Sequence, residues 1–126
     1  MPAIRFAKRV FTIAGIYGLI VLLPQYFLEN TIGRTEPPAI THPEYFYGFI
    51  GVAVAWQVAF LIIAQDPVRY RPLMIPSIIE KATFGFAAIA LFLLGRLSVQ
   101  MFGAAVIDMT LGIFFVISYM RTGSVR

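Results

Sequence analysis

The chain contains no cysteine and a single histidine, His42. The first absence removes disulfides, thiolate metal sites and cysteine nucleophiles, and leaves the redox compartment open. The second excludes a haem held by two histidines. A histidine-based metal site would need other residue types to complete it, so no metal is assigned. Charge is scarce as well: 13% of the 126 residues are charged, against about 25% in soluble domains. There is no phosphate-cradling glycine loop, no nucleophile elbow and no metal-binding histidine pair. Nor is there the matched pair of interrupted apolar segments that marks a transporter site. No catalytic residue is assigned, and the expectation is a protein without catalytic machinery of its own.

What the chain has in abundance is apolar surface, with 60% of its residues hydrophobic. A single domain of this size cannot hide that much, so lipid must cover part of it. The formal charge of +4 does not indicate nucleic acid, because the basic residues sit at the ends of apolar runs rather than in one patch. A helix needs about 20 apolar residues to cross the hydrocarbon core. Four runs qualify, at about 10–28, 45–64, 77–95 and 99–119. The first follows Arg5, Lys8 and Arg9 and exits through Pro24-Gln25-Tyr26-Phe27 with no small-x-small cleavage pattern, so it reads as a retained span. The last two cannot be one helix: Ser77 to Tyr119 would extend roughly 64 Å, about twice the core thickness. The break falls at Gly95-Arg96-Leu97-Ser98, which makes a tight helical hairpin. The fold class is therefore all-α, a single polytopic domain forming a four-transmembrane-helix bundle.

Lysine and arginine in the short loops set the orientation. Arg5, Lys8, Arg9, Arg69, Arg71, Lys81, Arg121 and Arg126 fall on one side, and Arg34 and Arg96 on the other. Both termini are thus expected in the cytoplasm, in a prokaryotic cytoplasmic membrane. The segment Glu29 to Glu44, with three acids, one arginine and three prolines, is expected as the outer loop. Aromatic residues gather near the interfaces at Tyr26, Phe27, Tyr45 to Tyr47, Tyr70 and Tyr119, as a membrane belt requires.

Thr41-His42-Pro43-Glu44 and Ser77-Ile78-Ile79-Glu80 both have capping-box spacing and predict helix starts. The prolines of Asp66-Pro67-Val68-Arg69-Tyr70-Arg71-Pro72 end the second span, which places both arginines near lipid phosphates. Lipid gives helices no hydrophobic reason to associate, so small residues mark close approach. Candidates are Ala14 and Gly18, the series Gly48, Gly51, Ala55 and Ala59, then Ala87, Ala88 and Ala90, and Gly103, Ala104 and Gly112.

Charges inside a membrane cost about 2.5–3.5 kcal/mol each on insertion scales, so each needs a reason. Asp108 lies nine residues into the fourth span, too deep for a short side chain to reach the surface. It should face the bundle, either as a structural acid or as a ligand-binding or proton-exchanging one. Gln57 comes to a similar depth and is its expected partner, and Tyr17 can bring a phenol near the same level. Trp56 is about 100° round the helix from Gln57 and is expected against lipid or neighbouring side chains rather than in a cavity. Lys81 is expected to snorkel to the headgroups. Glu80 is either the capping acid or an inward group pairing with Arg69 or Arg71. The ligand-binding candidates are therefore Asp108, Gln57, Tyr17 and Glu80.

Four spans, a tight final hairpin and a glycine-bearing first helix after a basic N-terminus resemble the DoxX-like small membrane proteins. The run from Asp66 to Pro76, followed by Glu80-Lys81, looks like a family signature. Some proteins of that type are membrane subunits of quinone-linked oxidoreductases, so the resemblance admits a quinone or a redox partner, and it carries over no functional residue. Three functions remain in view. The first is a non-catalytic subunit or accessory protein, bound to a protein partner in a larger membrane complex or to copies of itself. The second is a binding protein or enzyme for an apolar ligand such as a quinone or a lipid. The third is a dimeric proton-coupled small transporter using Asp108.

Overall fold

The structure, a computed structural model, describes residues 1–124. Its helices are α1 (Pro2–Leu22), α2 (Glu29–Thr35), α3 (Pro43–Gln65), α4 (Met74–Leu93) and α5 (Val99–Thr122). A tighter 3-10 turn, Leu23–Phe27, extends α1, and another, Arg71–Leu73, leads into α4. Four stretches are long and apolar enough to cross a membrane: Pro2–Phe27, Pro43–Gln65, Arg71–Leu93 and Val99–Thr122. The four expected spans are present, each with shifted ends. The largest shift is at the start of α1, which takes in Arg5, Lys8 and Arg9 as helical residues.

Each long helix buries one narrow stripe, as a helix covered by lipid on its other faces should. On α1 the stripe is Ala7, Phe11, Ala14, Gly18 and Leu22; on α3 it is Ile50, Ala53, Gln57, Phe60 and Ala64. On α4 it is Met74, Ser77, Lys81, Gly85 and Ala88. The large residues outside these stripes, such as Ile20, Val52, Phe86 and Ile113, are exposed. Hydroxyls in the spans bond back to a carbonyl one turn earlier: Ser77 to Leu73, Thr110 to Val106, Ser118 to Phe114 and Thr122 to Ser118, at 2.7–2.9 Å. That satisfies them without water.

The helices pair as two antiparallel hairpins, α1 with α3 and α4 with α5, and the hairpins join where α1 meets α5. Phe11, Phe60 and Phe115 lock this junction. Phe11 stacks on Phe115 at 4.2 Å between centroids, and Phe60 meets Phe115 edge-on at 4.9 Å. Such pairs contribute about 0.5–1.5 kcal/mol each beyond area burial. By contrast α3 and α4, which close the ring, barely touch.

Small residues set the separation of α1 and α3. A Cβ on Gly15 would come within 2.7 Å of Leu61 and 2.9 Å of the Gln57 carbonyl oxygen, and one on Gly18 would run into the Gln57 side chain. The expected small-residue series on α3 is only partly used inside the chain. Gly48 and Ala55 are exposed, as are Ala87, Ala90, Gly103 and Ala104 on the second hairpin.

The α4–α5 turn forms as the polar break predicts. Gly95 adopts a φ of 71°, which a side chain would resist. The Gly95 amide donates to the Phe92 carbonyl at 3.0 Å and the Arg96 amide to Leu91 at 2.8 Å, a Schellman closure. Ser98 then caps α5 by accepting from the Met101 amide at 3.2 Å, and its hydroxyl donates to Glu36 at 2.8 Å. Both expected capping boxes are absent. The helix of Ser77 already begins at Met74, because Pro76 sits comfortably in a first turn, and Glu80 is therefore a mid-helix residue. His42 precedes α3 without a side-chain cap, and its Nδ1 lies 3.1 Å from Glu44. The expected outer loop carries the short helix α2, anchored where the Tyr47 hydroxyl donates to Glu29 at 2.9 Å.

Arg71 is not left to lipid phosphates. Its Nε and Nη2 donate to the Tyr119 carbonyl at 3.0 and 2.7 Å, and its guanidinium lies 3.8 Å from the Tyr119 ring centroid. The carbonyls of a helix C-terminus lack intrahelical donors, and here a cation from the α3–α4 connection supplies one.

Candidate functional site

The α4–α5 hairpin carries opposite charges at matched depth. Lys81 lies about 18 Å from the turn end of α4, and Asp108 about 14 Å from the same end of α5, by helix rise. The two meet: Lys81 Nζ donates to Asp108 Oδ1 at 2.8 Å, a charge-assisted length. Lys81 is 4% exposed, so it does not snorkel. Its direction round α4 sends it into α5 instead of along the helix to the headgroups. Two glycines make room. A Cβ on Gly112, one turn beyond Asp108, would sit 3.0 Å from Lys81 Cβ, and one on Gly85, one turn beyond Lys81, would meet Met109. The lysine stem thus lies flat against α5, with the ammonium 5.3 Å from the Phe60 ring centroid.

Glu80 is the next residue on α4 and points about 100° away, towards α3. Its Oε2 is 3.7 Å from Lys81 Nζ, beyond hydrogen-bonding distance. That oxygen is buried and takes no hydrogen bond from any described residue. The expected pairing of Glu80 with Arg69 or Arg71 does not occur: Arg71 is committed to Tyr119, and Lys81 is the cation beside Glu80. One ammonium therefore stands between two carboxyl groups deep in the span.

Because α3 and α4 diverge, a groove of about 380 Å³ opens between them. Phe49, Val52, Ala53 and Trp56 form the α3 wall, and Glu80, Thr83 and Phe84 the α4 wall. Glu80 is the one charged residue among these. The Thr83 hydroxyl is already spent on the Ile79 and Glu80 carbonyls. Trp56 packs against the core beside Phe60, as expected, and its outer side also lines the groove. The 100° separation from Gln57 holds, and it turns Trp56 towards α4 because Gln57 faces α1.

The expected meeting of Asp108, Gln57 and Tyr17 does not form. Asp108 belongs to the seam between α4 and α5, and Gln57 to the seam between α1 and α3. Gln57 is 2% exposed and its Nε2 donates to the Ala53 carbonyl at 2.9 Å. Its Oε1 has no partner among the described residues and rests against Gly18. Tyr17 is half-buried on α1, and no hydrogen bond joins it to either residue among those described. Of the four candidates only Glu80 and Asp108 come together, bridged by Lys81. The signal for Lys81 was available in the chain: in a tight hairpin, a lysine and an aspartate nearly equidistant from the turn lie at one depth.

A second cavity, of about 300 Å³, lies beside α2, lined by Glu29, Asn30, Gly33, Arg34, Ala39 and Ile40. It sits on the connection between α1 and α3, outside the bundle, and its acid Glu29 is engaged by Tyr47. No protein-family model, curated protein or solved structure matches the chain.

Proposed function

We propose that this chain is a multi-pass membrane protein that binds an apolar small molecule, held between α3 and α4 with its polar group at Glu80. The observation that carries the reading is Glu80, the one charged residue lining an aromatic-walled groove between α3 and α4, with its side chain about a quarter exposed. Apolar walls with one polar anchor are the usual composition of a small-molecule site. The Lys81–Asp108 pair stands behind Glu80 and holds its charge environment fixed. Binding needs no catalytic group, and none is assigned. Asp108, the acid that a proton-coupled transporter would use, is committed to Lys81, which gives that reading little support.

The termini are proposed to lie in the cytoplasm of a prokaryote, on the strength of the lysine and arginine bias. Membership of the DoxX-like group stays within the proposal too, supported by the four spans and the closing hairpin.

A subunit role in a larger membrane complex is the second reading. It is favoured by the exposed small residues Gly48, Ala55, Gly103 and Ala104, which would let another helix approach closely. Photocrosslinking separates the two readings. With p-azidophenylalanine in place of Phe84, irradiation in the native membrane should yield an adduct of small, defined mass. An adduct to another polypeptide would move the groove to the subunit reading, and a chain with no adduct would sink both uses of the groove.

A further inference from the structure

Resting on that reading, we infer that the groove selects an organic cation: an apolar molecule carrying an ammonium or comparable positive group. Three features of the site favour it. The cluster of Glu80, Lys81 and Asp108 holds two carboxyl groups and one ammonium within 3.7 Å. With both acids ionised it carries one negative charge in excess, and Asp108 already uses the closer contact to the ammonium. The less compensated of the two carboxyl groups is therefore Glu80, the member that lines the groove.

The walls are the second feature. Phe49, Trp56 and Phe84 line the same groove as the acid, and a ring face attracts a cation most strongly where water is excluded, with tryptophan the best of the three. The third feature is the shortage of free donors. The Thr83 hydroxyl is bound within its own helix, and Lys81 is turned to Asp108. A neutral acceptor such as a quinone carbonyl would meet an acceptor at Glu80 and find little to bond. A cation meets a carboxylate and aromatic faces at once, and its binding brings the buried cluster to neutrality.

Trp56 is the only tryptophan of the chain and sits in the wall, so its emission reports occupancy directly. The test titrates the full chain in mild detergent with tetraphenylphosphonium and, in parallel, with triphenylphosphine oxide, a neutral molecule of related shape that offers only an acceptor. The cation should change Trp56 emission saturably, and the oxide should not at equal concentration. Glu80→Gln keeps the side-chain size but removes the 3.7 Å ion pair with Lys81, so its helical content is compared with wild type by circular dichroism. It should weaken the cation by at least about tenfold, the equivalent of about 1.4 kcal/mol. Phe84→Leu should weaken it several-fold while leaving the carboxylate in place, which guards against misreading a folding defect in the first variant. Equal binding of the oxide, or unchanged affinity in Glu80→Gln, would overturn the cation inference and leave an apolar-ligand groove standing. Absence of any saturable response to either compound would overturn the groove itself.

Discussion

Replacing Lys81 by Met and Asp108 by Leu, singly and together, probes the centre of the molecule. In the wild-type chain the ammonium lies 2.8 Å from Asp108 and 3.7 Å from Glu80. At an effective dielectric of about 20 these separations correspond to attractions of about 6 and about 4.5 kcal/mol before desolvation. Asp108→Leu removes the stronger contact but leaves the weaker one, so the ammonium is not wholly orphaned. Its cost should be about 2–3 kcal/mol, below the roughly 3–5 kcal/mol typical of breaking a buried pair outright. Lys81→Met leaves two carboxyl groups with no cation between them and should cost at least as much. The double variant replaces the pair by apolar side chains, which is commonly neutral or better in a buried setting, but it leaves Glu80 without the cation that lay 3.7 Å away. It should cost no more than the larger single loss, with a coupling energy of at least about 2 kcal/mol. Reversible unfolding from mild detergent into dodecyl sulfate, followed by circular dichroism, measures all four corners. Single-variant losses that simply add to within about 0.5 kcal/mol would refute the pairing.

Other expectations follow from particular contacts. Gly15→Ala should destabilise by about 1–3 kcal/mol, because its Cβ would meet the Gln57 carbonyl oxygen as well as Leu61. Gly48→Ala, with nothing within 4 Å, should be stabilising by about 0.5–1 kcal/mol through helix propensity, and the same unfolding assay reads both signs. Arg71→Met should lose about 1.5–3 kcal/mol and speed amide exchange at Met120, Arg121 and Thr122; unaltered exchange there would remove Arg71 as the clasp on α5. Because the chain has no cysteine, single replacements report topology cleanly. An impermeant maleimide applied to intact cells should label Thr41→Cys and spare Ser124→Cys, and the reverse pattern would invert the proposed orientation.

The spans were legible in the chain because a bilayer demands long apolar runs, and the Gly95–Ser98 turn because a single 43-residue helix would be too long. Residue identity also singled out Glu80, Gln57 and Asp108 as polar groups needing an account. What eluded the sequence was direction. Asp108 and Gln57 share a depth, yet they face different seams, and depth alone cannot tell which face of a helix a residue occupies. Lys81 was assigned to the headgroups because lysine can snorkel, although Gly112 opposite its stem gives it a path to Asp108. Two capping boxes failed because α4 already begins at Met74, with Pro76 in its first turn, and because His42 rather than Thr41 holds the N-cap position of α3. The groove was invisible for a different reason: it arises from the weak contact between α3 and α4, a property of the whole bundle rather than of any stretch of chain.

The most direct measurement is native mass spectrometry of the untagged chain, gently extracted from its own membrane, beside the Glu80→Gln variant. The account predicts a monomer or small oligomer carrying a defined extra mass that is missing from the variant. A bare chain, an identical extra mass in both proteins, or a larger assembly holding no small molecule would contradict it.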